Sequence, residues 1–379
     1  MTIQTPRSQP PGGAGPLVRG IGKLSVRQSL RPTVPLHAQE LVSVVIPCFN
    51  YATYLPAAVE SVLSQGHVRT EVIIVDDCST DQSLEAARRL AKLHPNVRVV
   101  EHVTNRGPVE TFNDGLAAAT GDFLVRLDAD DLLTPGSLCR AVAVLNEHEN
   151  VGLVYGHPLH FSGDTLPKPR LQTSSVTLWP GSEWLARRCR DGLNVITSPE
   201  VVMRKSLVDR VGGQQPLAHT HDMEMWLRLA AFSDVAYLRG CDQAWHREHA
   251  LSLSAQKVDV LLDLKERRRA FDTLFSGVAG LQPGASELSR GAELALDRAS
   301  IKLAQHELDR HGTGTLQLEL LLNEVRSSLT GTRNEVDRLQ KQARGTLSPS
   351  RKIFALGRRL KGKIRTESSW RRWHRTGEF

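Results

Sequence analysis

A mostly apolar stretch that ends in acids, from Phe123 to Pro135, places the strongest constraint on how this chain folds. Its first residues predict a buried β-strand, and three carboxylates follow directly: Asp128, Asp130 and Asp131. Thr134 and Pro135 predict the N-cap and the first residue of a helix. The acids therefore lie at the carboxyl end of a strand, where ligands bind in open α/β sheets. Their oxygens suit Mg²⁺ or Mn²⁺ held against phosphate, and a solvated turn with a capping acid is the alternative.

The sequence before this stretch alternates strand and helix patterns. The β-branched residues 41–50 predict a central strand covered on both faces, which ends at Pro47. Residues 71–77 predict a second buried strand that ends on acids, and residues 96–100 predict a third. Helical patterns lie between these strands, at 57–65, 79–93 and 109–119. Such alternation over short connections predicts a right-handed, mostly parallel sheet with both acidic strand ends at one rim, which favours a site for a cation and a nucleotide.

The charge of the chain is unevenly distributed along its 379 residues. Residues 1–39 carry five basic side chains and no acid, and residues 341–379 carry twelve basic and two acidic side chains. The body between them has a net charge of −8, although the whole chain has +7. A nucleic-acid-binding protein would carry its positive charge on a folded face, so no nucleic-acid partner is expected. The basic tails instead indicate contact with an anionic membrane surface.

The cysteines and the apolar runs indicate the compartment. Five cysteines are scattered singly along the chain, without a CxxC pair, which is typical of reduced thiols in a cytosolic protein. No apolar run approaches the length of a transmembrane helix, and the N-terminus has no secretory h-region. A cytoplasmic protein, peripheral on the inner face of the cell membrane, is therefore expected.

Shifts in composition predict four segments. Residues 1–40, rich in Pro, Gly, Ser and Arg, predict a disordered basic tail, and residues 41–255 form the α/β domain. Residues 256–345 predict a helical extension, whose amphipathic beginning at 258–271 is expected to pack back on the sheet domain. Residues 346–379 form a second basic tail.

Apolar residues in the last predicted helices, at 316–343, recur in steps of four and three. They are Leu318, Leu322, Val325, Leu329, Thr332, Val336 and Leu339. This spacing is typical of a coiled-coil seam, through which two copies of the chain could form a homodimer. A helical hairpin that buries the same stripe within one chain is favoured over the dimer, because the run is short.

The final basic tail has an amphipathic pattern. Four apolar residues share one helical face between flanking basic residues, and two tryptophans follow: Ile353, Leu356, Leu360, Ile364, Trp370 and Trp373. This pattern predicts a helix that lies in a membrane interface, where each basic residue near an anionic leaflet contributes about 1 kcal/mol. A solvated, disordered basic tail is the alternative.

Several motifs taken together resemble family 2 glycosyltransferases of the GT-A fold. They are Val-Val-Ile-Pro-Cys-Phe-Asn at 44–50, Val-Asp-Asp-Cys-Ser-Thr-Asp at 75–81 and Leu-Asp-Ala-Asp-Asp at 127–131, which contains a DXD motif. Two later signatures are similar to family blocks: Val-Gly-Gly at 211–213 before residues 221–229, and Trp-His-Arg-Glu-His at 245–249 with Ser252 and Ser254. The resemblance covers residues 41–255. It implies a Rossmann-like, mostly parallel sheet flanked by helices, here followed by an α-helical C-terminal extension.

The resemblance also implies an inverting transfer from a nucleotide-diphosphate sugar to a saccharide or lipid-linked acceptor, with roles for named residues. Asp222 would be the general base, and Asp130 with His249 would hold Mg²⁺ or Mn²⁺. Six residues would contact the donor nucleotide or its phosphates: Pro47, Asn50, Asp77, Arg106, Asp128 and Arg247. In the family the acid pair usually begins with Glu, whereas this chain has His221, whose positive character would keep Asp222 ionised.

Each assignment has a structural alternative. His249 and Arg247 could serve other roles as a core or surface residue. Asp222 and Glu224 could simply occupy the first turn of a helix, where acids favour the dipole. Three apolar neighbours, Met225, Trp226 and Leu229, are predicted to be core residues rather than a substrate platform.

Two other functions compete with the transferase. A sugar-phosphate nucleotidyltransferase would need a Gly-rich, basic phosphate loop after the first strand, and Pro-Cys-Phe-Asn-Tyr is not one. A catalytically silent GT-A-like domain that acts as a membrane-associated scaffold is the alternative from another class. The combination of Asp130, Asp222 and His249 favours an enzyme, whose role would lie in the assembly of cell-surface polysaccharide or glycolipid.

Overall fold

The structure, a computed structural model, describes residues 19–32, 40–249, 259–311, 315–327 and 329–344. A short strand comes first, and strands then alternate with helices: β1 (Gln28–Leu30), β2 (Leu41–Cys48), α1 (Leu55–Leu63), β3 (Arg69–Asp76), α2 (Ser83–Leu93), β4 (Val97–Glu101), α3 (Gly107–Ala118) and β5 (Phe123–Arg126). The rest of the sheet domain follows: β6 (Leu132–Leu133), α4 (Ser137–Glu147), β7 (Val151–Phe161), β8 (Ser175–Trp179), α5 (Gly181–Asp191), β9 (Val201–Arg204), α6 (Lys205–Val211), α7 (His221–Phe232) and β10 (Asp234–Arg247).

The C-terminal region described by the structure is helical. It consists of α8 (Val260–Ser276), a 3-10 turn (Val278–Leu281), α9 (Ala285–His311), α10 (Leu316–Asn323) and α11 (Thr330–Arg344). In the described ranges no helix is both long enough and apolar enough to cross a bilayer.

The strands form one mixed sheet in the order β1-β8-β10-β7-β9-β5-β2-β3-β4, with β6 paired to β10. The strands β5, β2, β3 and β4 at one end of this order are parallel, and β7 is parallel to β10. Antiparallel β9 joins these two parallel parts, because it pairs with both β5 and β7. The predicted α/β fold, a mostly parallel sheet followed by helices, is confirmed.

The sheet is covered on both faces, which explains the continuous apolar runs of its central strands. Along β2, the alternate residues Val42, Val44 and Ile46 pack against one face with α1 and α4, whereas Val45 faces the other side with α3 and α7. A strand buried on both sides needs apolar residues at every position rather than at every second one.

The start of α4 differs from the sequence prediction. Thr134 is not the N-cap, because its hydroxyl donates to the carbonyl of Asp242 on β10 (2.6 Å). The helix begins instead at Ser137 after Gly136, which has a left-handed φ of 72°. The side chain of Arg140 occupies the space beside Gly136, with Nη1 3.1 Å from where a Cβ would lie.

Part of the N-terminal segment is ordered, which differs from the prediction of a disordered tail. Residues 19–32 lie along the sheet domain, and β1 extends the sheet by pairing with β8. Both Lys23 and Leu24 donate their backbone N–H groups to the carboxylate of Asp234 (2.9 and 3.0 Å). Arg27 stacks over the ring of Trp179, with 4.5 Å from its guanidinium carbon to the ring centroid.

The predicted coiled-coil stripe lies on two separate helices, α10 and α11, rather than on one. Its buried members Leu318, Leu322 and Leu339 belong to a core cluster that includes Ala304 and Leu308 of α9. In the structure these side chains are therefore buried within one chain, rather than at a contact between two copies. The predicted membrane-associating tail at 346–379, like Ser252 and Ser254, lies outside the described residues.

Candidate functional site

The site is built on the carboxyl ends of β2, β3 and β5, which meet at one rim because these strands are parallel. The pairing places Cys48 beside Asp76 and Val45 beside Arg126. Backbone hydrogen bonds continue this alignment past the strands, since Asp77 N–H donates to the carbonyl of Cys48 (2.9 Å) and Leu127 N–H to that of Val45 (3.0 Å). Pro47 does not end its strand, because β2 continues through it to Cys48.

Asp77 and Arg106, both predicted to contact the nucleotide, lie side by side. The Asp77 carboxylate accepts hydrogen bonds from the backbone N–H groups of Arg106 (2.7 Å) and Gly107 (2.8 Å) at the start of α3. His102 Nδ1 is also 2.8 Å from it. Burial alone would raise the pKa of Asp77, but these hydrogen bonds outweigh burial and lower it, so the carboxylate is ionised. The Arg106 guanidinium pairs with Asp114 and, at 3.3 Å, with Glu110.

Asn50 shapes the neighbouring loop. It has a left-handed φ of 61°, and its side-chain oxygen accepts hydrogen bonds from the N–H groups of Thr80 (2.7 Å) and Asp81 (3.3 Å). Its own N–H donates to Ser79 Oγ (3.0 Å). Asn50 therefore ties the loop after β2 to the loop after β3, and its direct contact with a donor stays a prediction.

The three acids after β5 have different partners. Asp128 pairs with the buried guanidinium of Arg126 (2.7 Å). Asp131 accepts from the backbone N–H of Arg247 (2.8 Å) and lies 3.1 Å from His246 Nδ1. Asp130 lies 2.8 Å from His249 Nε2. Burial, together with the charges of Asp131 and Asp128, raises the pKa of Asp130 to about 6, so a negative charge on this carboxylate is destabilised unless a cation compensates it.

Asp130 and His249 together fit a divalent cation that also binds a diphosphate. They offer one carboxylate and one imidazole, and Mg²⁺ is commonly held by one or two protein carboxylates plus substrate phosphates and water. Across the described residues, no group of three or more His, Cys, Asp or Glu is arranged to hold a metal. The protein ligands alone would therefore leave most of the coordination sphere to the donor and to water.

Two tyrosines that the sequence analysis did not single out contact His249, and one of them also contacts Arg247. The Arg247 guanidinium lies 4.8 Å from the ring centroid of Tyr54, and His249 lies 5.3 Å from the same ring. The Tyr51 ring is 6.1 Å from His249. Burial and the charge of Asp130 raise the pKa of the Tyr51 hydroxyl, which therefore stays protonated. The sequence signal was available, since both tyrosines follow Asn50 in the loop after β2.

The predicted base Asp222 lies in the first turn of α7 and is partly exposed. One of its carboxylate oxygens, Oδ2, accepts a hydrogen bond from Ser198 Oγ (3.0 Å), and Oδ1 accepts from Met223 N–H (2.6 Å). Three residues further along α7 that were predicted to be core residues are indeed buried: Met225, Trp226 and Leu229.

His221 does not supply the predicted positive charge. Its side chain is buried, and burial together with the nearby Arg126 guanidinium lowers its pKa, so the imidazole is neutral at pH 7. The charges of Asp222 and Asp128 act on the same imidazole in the opposite direction. Asp222 and Asp128 therefore lie near the same imidazole, and the buried guanidinium of Arg126 lies near it too.

A loop before β9, residues 197–200, joins this neighbourhood and was not predicted to be functional. Ser198 contacts Asp222 as described above. The Glu200 carboxylate is buried and accepts from Thr197 N–H (2.7 Å) and Oγ1 (2.8 Å), while burial raises its pKa to about 7. Burial alone would lower the pKa of the neighbouring His246, but Asp131 and then Glu200 raise it to about 10. The segment Thr-Ser-Pro-Glu has no sequence pattern that would identify it as part of a functional site.

The chain is similar to known glycosyltransferases over its sheet domain. Residues 43–212 match the profile of glycosyl transferase family 2. An uncharacterized glycosyltransferase of Nostoc sp. is 36% identical over 151 residues, which are 38% of this chain and 47% of that protein. The putative glycosyltransferase EpsE of Bacillus subtilis is 27% identical over 201 residues, 50% of this chain and 66% of that protein. This chain thus spans less than two thirds of either relative.

Solved structures share the fold at low sequence identity. S. aureus TarS in complex with UDP-GlcNAc superposes with a TM-score of 0.56 at 18% identity, covering 79% of this chain and 83% of that one. The mannosyltransferase PcManGT of Pyrobaculum calidifontis, solved with GDP-Man and Mn²⁺, has a TM-score of 0.50 at 19% identity, covering 83% of this chain and 88% of that one. The likeness extends beyond the sheet domain into the helical region.

Proposed function

The chain belongs to glycosyl transferase family 2, and from this premise we propose that it transfers a sugar from a nucleotide-diphosphate donor to an acceptor hydroxyl. One observation carries the proposal. Asp128 after β5 and Asp222 at the start of α7 both act on one buried group, His221, although the two acids are 94 positions apart in the sequence. Ligands bind at the carboxyl rim of open α/β sheets, and carboxylates there can hold a cation against the phosphates of a donor.

The proposed reaction is a single displacement with inversion. The acceptor oxygen forms a bond to the anomeric carbon while the bond from that carbon to the diphosphate oxygen breaks, and the electron pair leaves with the diphosphate. Asp222 takes the proton of the acceptor hydroxyl, which requires an ionised carboxylate within hydrogen-bond reach. The two oxygens of this carboxylate accept hydrogen bonds from Ser198 Oγ and from Met223 N–H.

The donor would lie across the rim described above. Asp77 with Arg106 would face the nucleoside, while Pro47, Asn50 and Asp128 would line its path. Mg²⁺ or Mn²⁺ held by Asp130 and His249 would offset charge on the departing diphosphate. Arg247 would add a fixed positive charge, since its guanidinium is held by the carbonyls of Asp130 (3.1 Å) and Gly163 (2.8 Å). PcManGT binds GDP-Man with Mn²⁺, which supports a divalent metal here.

The proposed setting is the assembly of cell-surface polysaccharide or glycolipid on the cytoplasmic face of the membrane, with a saccharide or lipid-linked acceptor. The basic, amphipathic residues 346–379 support this placement. Flotation with anionic vesicles tests it, since deletion of residues 346–379 should abolish binding. Equal flotation of the full and shortened chains would contradict the membrane role of this segment.

The transferase proposal is tested with the full chain and two nucleotide sugars, UDP-GlcNAc and GDP-mannose, each with and without Mn²⁺. We expect metal-dependent hydrolysis of at least one donor. Asp222→Asn should lower turnover by about 10³-fold, because an amide cannot take the proton. Asp130→Ala should weaken nucleotide binding in calorimetry only when Mn²⁺ is present, because it removes one of the two protein ligands.

Asp209→Asn is the matched control, because Asp209 is an exposed acid whose partner is Lys205 (2.9 Å). It should leave both turnover and binding unchanged. Wild-type turnover by Asp222→Asn would remove the base from its role. If nucleotide binding to the wild-type chain produced no heat in calorimetry, with or without Mn²⁺, a silent scaffold would be the better description.

A further inference from the structure

Ser198 has a backbone conformation that side chains rarely adopt. Its φ is 116°, in the region that favours glycine, and its side chain is 1% exposed. Conformations of this kind persist only where the surroundings over-determine them, and they cluster at functional sites. The one hydrogen bond that distinguishes a serine from a glycine here is the bond from its Oγ to Asp222 Oδ2 (3.0 Å).

The residues around Ser198 hold this conformation in place. Thr197 donates both its N–H and its hydroxyl to the buried carboxylate of Glu200. The N–H of Val201 donates to the carbonyl of Ser198 (3.2 Å), at the start of β9. The loop is therefore fixed on both sides of Ser198 by groups that do not contact Asp222.

The contact fixes how the Asp222 carboxylate is oriented. Each carboxylate oxygen can accept about two hydrogen bonds. Met223 N–H occupies one position on Oδ1, and Ser198 occupies one on Oδ2. Rotation about the bond to the carboxyl carbon would break both bonds, so the remaining lone pairs point in a fixed direction.

We propose that Ser198 is a positioning residue for Asp222, and that the chain keeps a strained serine at this position because its hydroxyl orients the base towards the acceptor hydroxyl. This inference rests on the proposed role of Asp222. Glycine would fit the backbone better, but it would leave Oδ2 without this donor. Ser198 itself neither gives up nor takes the reacting proton.

The test compares Ser198→Ala, Ser198→Gly, Asp222→Asn and the double variant Ser198→Ala/Asp222→Asn in the full chain. The readout is hydrolysis of UDP-GlcNAc or GDP-mannose, whichever is turned over faster. Ser198→Ala should lower kcat about tenfold with little change in donor KM, because one hydrogen bond to a charged group is lost. The acidic limb of its pH–rate profile should move to higher pH, since a carboxylate that loses a donor is protonated more easily.

Ser198→Gly should lose as much activity as Ser198→Ala. It should melt at a higher temperature than Ser198→Ala, because glycine adopts a φ of 116° without strain. In the Asp222→Asn background, Ser198→Ala should cause no further loss, because it acts through the group already removed. Ser276→Ala, a change of an exposed serine whose hydroxyl donates to the carbonyl of Thr273, is the control and should change nothing.

Two results would overturn the proposal while leaving the transferase intact. One is a Ser198→Ala protein with wild-type kcat and an unmoved acidic limb. The other is an equal loss from Ser198→Ala in the wild-type and Asp222→Asn backgrounds, which indicates a structural role. Full activity of Asp222→Asn would instead refute the role of Asp222 as the general base, and this single variant is enough to detect that outcome.

Discussion

Asp242 on β10 shows how far one buried carboxylate depends on its partners. Its side chain is 1% exposed and lies 2.9 Å from His157 Nδ1. It also accepts from Arg170 through the backbone N–H (2.7 Å) and Nη2 (2.5 Å). Burial alone would raise the pKa of Asp242, but His157 and Arg170 outweigh burial and lower it to about 2.

This shift predicts a pH dependence of stability. Because the pKa is lower in the folded chain than in the unfolded one, Asp242 stabilises the fold above about pH 4, and this contribution is lost as the pH falls towards 2. The contribution is about 2 kcal/mol. Asp242→Asn should therefore lower the free energy of unfolding at pH 6 by about that amount, and the difference from wild type should shrink as the pH falls. Urea titrations at several pH values measure it; a difference that is constant with pH would contradict the prediction.

Single residues of the site can be predicted when they belong to a local sequence motif. Asp77 and Asp130 follow apolar strands, so their types and positions mark them without any structure. Ser198 and Glu200 carry no such mark, because their importance comes from contacts with distant segments and from a backbone angle. The neutral state of His221 was also beyond the sequence, since it depends on burial and on Arg126.

Elements were predicted best where a period or a continuous run dominates. The strands β2, β3 and β5 were found because burial on both faces leaves nearly unbroken apolar runs. Boundaries were found less well, since a cap depends on tertiary contacts. The predicted cap Thr134 instead bonds the carbonyl of Asp242, a contact across 108 residues of sequence.

Helix α8 is the element that connects the helical extension to the proposed base. Glu266 on this helix is fully buried, and its Oε2 accepts from the N–H of Ala218 (3.0 Å). Its backbone carbonyl accepts from the hydroxyl of Thr220 (3.0 Å), which immediately precedes α7. The segment that leads into Asp222 is therefore held by a residue 44 positions further along the chain.

Glu266→Ala should lower the free energy of unfolding by about 2 kcal/mol, because it leaves the N–H of Ala218 without its acceptor. It should also lower kcat about tenfold, since the segment before α7 loses its support at Ala218, although the bond from Thr220 to the backbone carbonyl of residue 266 remains. Urea titration and donor hydrolysis measure the two effects. Asp272→Asn, a change of an exposed acid on the same helix, should affect neither. A loss of stability with unchanged kcat would show that α8 only stabilises the fold.

At the scale of the whole molecule, the sheet domain and the helical extension share one hydrophobic core. A single cluster of buried residues contains Val45 and Ile73 of the sheet, Trp226 of α7, Leu264 of α8 and Leu296 of α9. The sequence predicted that residues 258–271 pack on the sheet domain, and α8 does pack against α7. That the cluster continues through α9 to Leu339 could not be predicted, because an amphipathic stripe does not say which surface covers it.

A shared core predicts that both regions unfold together. Leu264 is fully buried, so Leu264→Ala should lower the free energy of unfolding by about 3 kcal/mol through the cavity it leaves. Four of the six tryptophans lie in the sheet domain, so their fluorescence reports mainly on that domain, whereas far-UV circular dichroism reports on all helices. In urea, both signals of Leu264→Ala should shift by the same amount and remain coincident. Leu316→Ala, which changes a side chain that is 71% exposed, should shift neither. A fluorescence midpoint that stayed at its wild-type value while the dichroism midpoint moved would contradict this prediction. It would show that the sheet domain unfolds independently of the helices, although the buried residues of the two regions are in contact.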